Sequence, residues 1–193
     1  MGLRNWHLAD LNDTPEDPKK CLVIRRWPIN WLIMDIEPLE TAEVHGVPTV
    51  RQQSVFIENR VGQLLRLTRL FDQTEIRILA VSVVYSFDCA ICRMIFDDPD
   101  LAYDLMSGAR FQVSEAELIV VNLPPGKRAL LHTWAALLGG EISIHYTYPL
   151  LSRPRGCPAI AVLPDNIEQA VCILRERGFD VLDQQDLLEA RYD

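Results

Sequence analysis

Apolar residues along this chain fall into two alternating periods, and the whole alternation occurs twice. Residues 53–58 predict a first strand. Val61, Leu64, Leu65 and Thr68 then stand at i, i+3, i+4 and i+7, which predicts one face of a helix. Residues 76–85 are rich in β-branched side chains, and the polar turn 86–88 leads into 89–96, so these two runs read as a hairpin. Asp98 is placed to cap a second helix with Pro99 at its first position; Leu101, Ala102, Leu105 and Met106 follow before Gly108 stops it. The second copy opens with a strand over 118–123. A helical stripe of Leu130, Trp134, Leu137 and Leu138 then ends at Gly139 and Gly140. Ile142, Ile144, Tyr146 and Tyr148 alternate as one face of a strand, 158–163 returns, and Ile167, Ala170, Val171 and Leu174 give a helix ended by Gly178.

Landmarks recur in the same order. Ile76-Arg-Ile78 matches Ile142-Ser-Ile144, Asp98-Pro-Asp100 matches Pro164-Asp-Asn166, and Phe111-Gln-Val113 matches Phe179-Asp-Val181. Each copy reads strand, helix, strand, strand, helix, strand. The expected fold class is therefore α+β: two tandem ferredoxin-like βαββαβ units, antiparallel sheets with helices on one face. The domains are expected at 51–115 and 116–193, behind an extension over 1–50. That extension holds Trp6, Trp27 and Trp31 and offers 21–26 and 31–36 as extra edge strands.

Composition narrows the classes of function. Hydrophobic residues make up 49%, enough for a buried core, and a net charge of −8 opposes a nucleic-acid surface. The longest apolar stretch, 21–36, is broken by Arg25, Arg26 and Pro28, so no membrane span or secretory leader is expected and the expected compartment is the cytoplasm. Five cysteines scattered through apolar runs read as reduced thiols. Cys89 and Cys92 form a CxxC, but on a strand they point to opposite faces and could share neither a metal nor an easy disulfide. His7, His45, His132 and His145 show no metal spacing, and no nucleophile, phosphate-loop or zinc-protease motif occurs, so neither catalysis, cofactor nor metal is expected.

Residues 55–65, Val-Phe-Ile-Glu-Asn-Arg-Val-Gly-Gln-Leu-Leu, resemble the first strand and helix start of an ACT domain. Glu58, Asn59, Gly62 and Leu64 match the family pattern, while Val61 stands where Pro is commoner. Residues 76–81 and 92–98 resemble the family's second and third strands. The resemblance covers roughly residues 53–187 and is greatest to the tandem-ACT proteins of bacteria. In the second copy Asn122-Leu-Pro-Pro-Gly126 is similar, but its helix aligns only with extra residues before Leu130.

The resemblance implies a non-catalytic regulatory protein that binds a small molecule, usually an amino acid, where two ACT units meet. Gly62 would let the backbone approach the ligand, and the helix start would seat its carboxylate. The implied site is Asn59, Arg60, Val61, Gly62 and Gln63, with Ile142, Ser143, Ile144 and His145 supplying walls and acceptors across the seam. A weaker sister site would place Asn122, Pro125, Gly126 and Lys127 against Ile78, Leu79, Ala80 and Val81. A homodimer is expected. The runner-up is the regulatory small subunit of a biosynthetic enzyme such as acetohydroxyacid synthase, whose first ACT unit is similar to 58–64. A third alternative is an interaction module that binds no ligand.

Overall fold

A computed structural model describes residues 46–58, 60–85 and 89–189. The expected extension strands at 21–26 and 31–36, the turn 86–88 and Asn59 lie outside the described residues.

Strand β1 (Val50–Glu58) is followed by helix α1 (Gln63–Thr68), a 3-10 turn (Arg69–Phe71), β2 (Ile78–Tyr85), β3 (Cys89–Phe96) and helix α2 (Pro99–Gly108). The second half holds β4 (Gln112–Asn122), α3 (Ala129–Leu138), β5 (Ile144–Pro149), β6 (Ala159–Pro164), α4 (Ile167–Glu176), β7 (Val181–Leu182) and a short helix α5 (Gln184–Glu189). All pairings are antiparallel, and the strands run β2-β3-β1-β4-β6-β5, with β7 also on β4. Two ferredoxin-like units are therefore present, as the repeat predicts. They are not separate sheets.

The expected boundary between 115 and 116 falls in the middle of β4. The first half of β4 pairs with β1, ending at Val50↔Leu118, and the second half pairs with β6 from Ile119↔Val162 onward. β7 takes up the side of β4 that β1 leaves, at Val120↔Leu182. One strand thus closes the first unit and opens the second. Its alternation runs without interruption through both. Val113 packs under the first pair of helices, Ile119 and Val121 under the second, and Glu115 and Glu117 on the same face are exposed.

Three apolar clusters follow from this arrangement. One lies between the sheet and α1/α2 (Val55, Leu67, Phe71, Met94, Phe96, Met106), and another between the sheet and α3/α4 (Ile119, Val121, Leu137, Val162, Leu174). The third fills the opposite side, away from α1–α4: Val50, Leu79, Ala80, Ile95, Leu118, Val120, Tyr148, Ala161 and Leu182. The sheet curls around this third cluster until its edges meet at Ala80↔Leu150, where Leu151 N donates to Leu79 O at 2.7 Å. Leu187 of α5 joins the same cluster. Gln184 on that helix donates to Phe96 O at 3.0 Å and accepts from Arg51 N at 3.2 Å. Neither α5 nor the third cluster was expected from the sequence.

Two bulges make the curl. In β5 the pairing steps from Ile144↔Pro164 to Tyr146↔Leu163, and in β2 from Ile78↔Phe96 to Ala80↔Ile95. Each inserts one unpaired residue and so reverses which side later residues face. The sequence predicts Ile142, Ile144, Tyr146 and Tyr148 on one face. In the structure Ile142 and Ile144 pack beneath the helices, whereas Tyr146 and Tyr148 turn into the curl.

Helix faces also depart from expectation. Leu67 and Phe71 are the buried residues of the first helical segment, while Leu64 and Leu65 are exposed and Val61 is fully so. On α3 Leu137, Ala136 and Thr133 are buried, whereas Leu130 and Leu138 are exposed. α2 keeps its predicted start, with Asp98 accepting from Leu101 N at 3.0 Å ahead of Pro99. Asn166 caps α4 the same way, accepting from Gln169 N.

Because β4 carries both units, the chain is expected to melt in one cooperative transition. Leu118→Ala, at the point where pairing passes from β1 to β6, should cost about 3 kcal/mol and lower that single transition. Two resolved transitions in differential scanning calorimetry, of which only one moves, would contradict the shared strand.

Candidate functional site

Gly62 precedes α1 with φ 90°, a left-handed conformation that L residues adopt at a cost. The turn is held by Arg60 N donating to Glu58 O at 2.8 Å and Gln63 N to Arg60 O at 3.3 Å; Arg66 N to Gly62 O at 2.9 Å begins the helix. The N–H groups of Val61 and Gly62 have no acceptor among the described residues, and both residues are exposed. A Cβ on Gly62 would meet nothing within 4 Å, so open space faces the turn. Arg60 is paired with Glu58 at 3.1 Å. α1 is only six residues long, so its dipole is weaker than the sequence pattern implies.

Gly126 is also left-handed, with φ 114°, but α3 begins only at Ala129. The extra residues inferred from the sequence are therefore real, and the second turn is wider. Pro125, Gly126 and Lys127 are exposed. Asn122 is committed elsewhere. Its Nδ2 donates to Asp180 Oδ2 at 2.8 Å, and Asp180 in turn accepts from Arg155 at 3.0 Å to each oxygen. Arg155 also pairs with Asp186, and its backbone is left-handed with φ 54°. Asn122, Asp180, Arg155 and Asp186 together form a clamp that fixes the loop after β5 to β7 and α5. The only sequence signal for it was four charged or amide residues spread between positions 122 and 186.

The structure does not bring 60–63 and 142–145 together within one chain. β4 and β6 stand between their strands, and among the described residues no hydrogen bond or ion pair joins the two groups. Ser143 is tied to Asp165, donating to Oδ1 at 3.2 Å, and His145 is exposed beside the bulge. Ile78–Val81 of β2 does reach the second unit, but at Leu150 and Leu151; Leu150 N continues to Ala159 O, and Ala159 pairs with Asn122.

Sequence reasoning missed a polar network inside the curl. Gln52 is 1% exposed; its Nε2 donates to Tyr146 OH at 2.9 Å and to Ser54 Oγ at 3.1 Å, and its Oε1 accepts from Tyr148 OH at 2.8 Å. These bonds join β1 of one unit to β5 of the other. Burial, and then the neighbouring Tyr146, push the Tyr148 hydroxyl up, while Arg93 opposes them weakly, so it stays protonated and donating. The signal available was Gln52-Gln53-Ser54 within a strand, where amides are out of place unless paired.

Comparison with known proteins now adds the family. A family model described as ACT domain pair matches residues 48–190. The chain belongs to that family. Among solved structures, protein BT0572 of Bacteroides thetaiotaomicron is 26% identical with a TM-score of 0.67, covering 73% of this chain and 96% of that one. The ligand-free regulatory subunit of aspartate kinase from Thermus thermophilus is 10% identical with a TM-score of 0.49, covering 68% and 94%. A putative glycine cleavage system transcriptional repressor is 10% identical with a TM-score of 0.32, covering 70% and 96%. No curated protein matches the chain. Among the described residues of this ACT domain pair, no helix is long and apolar enough to cross a membrane.

Of the cysteines, Cys89, Cys92 and Cys172 are free, with Cys92 in the first core cluster. Cys157 is disulfide-bonded, against the expectation that every thiol is reduced. Burial pushes the Cys92 thiol up to about 11. Native protein at pH 8 should therefore release Cys172 rapidly to a thiol reagent and Cys92 only on unfolding. Because its folded pKa is raised, the contribution of Cys92 is present below the unfolded pKa and lost as pH climbs toward 11. Rapid native labelling of Cys92, located by mass spectrometry, would show that its strand is not packed as described.

Proposed function

We propose that this ACT domain pair is a non-catalytic regulatory protein of the cytoplasm that senses an amino acid at the Gly62 turn. The observation that carries this reading is the turn itself within a family of regulatory domains: a left-handed glycine, open space where its Cβ would be, and two amides without acceptors. Such amides suit a carboxylate. Val61, Gly62 and Gln63 would hold it, with Arg60 at the rim and Asn59 completing the sequence motif.

The seam between the two units of one chain is filled by side chains around Val120 and Tyr148, so 142–145 cannot close over this turn from within. A second copy supplies that half of the site in this proposal, which makes the functional form a homodimer. Leu130, Leu131 and Leu138 stay exposed on α3 and provide apolar surface for such an association. Light scattering that returns only a monomeric mass, with and without ligand, would remove the dimer from the reading.

The site is tested by calorimetry with each of the twenty amino acids on the full chain and on Gly62→Val. The variant is expected to fold, since a Cβ there meets no atom, with backbone strain of about 1–2 kcal/mol. One or a few amino acids should bind the natural chain and bind the variant at least about tenfold more weakly, a loss of roughly 1.4 kcal/mol. Equal binding to both would move the site away from the turn, and no binding at all would favour an interaction module.

A further inference from the structure

Arg93 is half-buried on β3, on the side of the sheet away from α1–α4. Its guanidinium carbon lies 4.1 Å from the centroid of the Tyr146 ring, and among the described residues no carboxylate pairs with it. Cross-strand pairing places Ser82, Arg93, Ser54 and Ser114 in one row across β2, β3, β1 and β4. The adjoining row holds Ala80, Ile95, Gln52 and Ala116. No acidic residue stands in either.

Proton bookkeeping around Gln52 gives this row a direction. Both Nε2 hydrogens of Gln52 are spent, one on Ser54 Oγ and one on Tyr146 OH. Each of those oxygens is therefore an acceptor to Gln52 and retains its own hydrogen. Neither hydrogen has an acceptor among the described residues. Gln52 itself is fixed by Tyr148, which donates to its Oε1. The buried amide thus orients two hydroxyl donors beside an unpaired guanidinium that is steadied by stacking. Donors converge here, and among the described residues no charged acceptor accompanies them.

We propose that this is a binding site for a small organic acid lacking an ammonium group, such as a 2-oxo acid. Its carboxylate lies on Arg93, and Ser54 and Tyr146 donate hydroxyl hydrogens to the carboxylate or the neighbouring carbonyl oxygen. Phe56 and Ile91, paired on the next row, and Leu163, paired with Tyr146, supply apolar walls for a short side chain. An ammonium group would find no carboxylate in these rows, so the site discriminates against amino acids. It is independent of the Gly62 turn.

The test is calorimetric titration of the full chain with pyruvate, glycine and inorganic phosphate, repeated on Arg93→Gln, Tyr146→Phe and Gly62→Val. Pyruvate should bind saturably, glycine and phosphate far more weakly. Arg93→Gln should weaken pyruvate at least about tenfold, as loss of a charge-assisted contact does. Tyr146→Phe keeps the ring beneath the guanidinium and removes only the hydroxyl, so it should weaken binding by a few-fold and decides the matter if Arg93→Gln does not fold. Gly62→Val should leave pyruvate binding unchanged, which separates this site from the amino-acid site. No saturable heat with pyruvate would overturn the proposal and leave Arg93 a packing contact. Equal affinity in both site variants would also overturn it. Phosphate or glycine binding as tightly as pyruvate, with the same loss in Arg93→Gln, would show a general anion site and refute the selectivity for an organic acid without ammonium.

Discussion

Two sheets can share a backbone only if one strand keeps its register and alternation through both, and β4 does so over eleven residues. Its odd positions serve both helical layers, and its even positions from Leu118 onward face the common interior. A single inserted residue would turn Ile119 and Val121 away from α3 and α4 and expose that core. The exposed glutamates 115 and 117 mark where the strand crosses the gap between the helix pairs, which needs no apolar cover. Helix placement, the glycine turns at the ends of β1 and β4 and the filled inner seam all follow from this strand.

The bulges in β2 and β5 are its counterpart. They sit in the second strand of each unit, so the repeat is preserved even in its irregularities. By turning Ala80 and Tyr146 inward they bring the two edge strands together at Ala80 and Leu150, which pairs one end of an edge that an open sheet would leave exposed. They also aim the tyrosines at Gln52. A straight β5 would have kept Tyr146 and Tyr148 beneath the helices, and the amide would be left with Ser54 alone.

Much of this was legible in the sequence. Period, caps and glycines identified both units, and 89–96 and the Asp98 and Asn166 helix starts fell where the pattern placed them. What was not legible is instructive. A bulge changes facing without changing composition, so the alternation of Ile142 to Tyr148 concealed the reversal at Ile144. On α1 and α3 the apolar residues outnumber the buried positions, and periodicity alone could not say that Leu67 rather than Leu64 turns inward. The Gly62 and Gly126 turns were visible because glycine adopts their φ without the strain other residues incur. The Gln52 network was not, because its partners come from opposite units.

That network bears on how a signal could cross the molecule. Gln52 is buried, and a rotation of one unit against the other would strand its Oε1 and the Tyr148 hydroxyl without partners, a cost of about 1–3 kcal/mol for each group left unpaired. The shared strand adds the cost of breaking continuous pairing. Hinge motion between the units is therefore opposed at the centre, which favours one continuous frame over the described residues. A ligand at either end of such a frame changes little inside it. Its effect has to be read where the frame meets something else, through the exposed residues around Val61 and along α3. The fold's part is to hold the glycine turns and those surfaces at fixed separation.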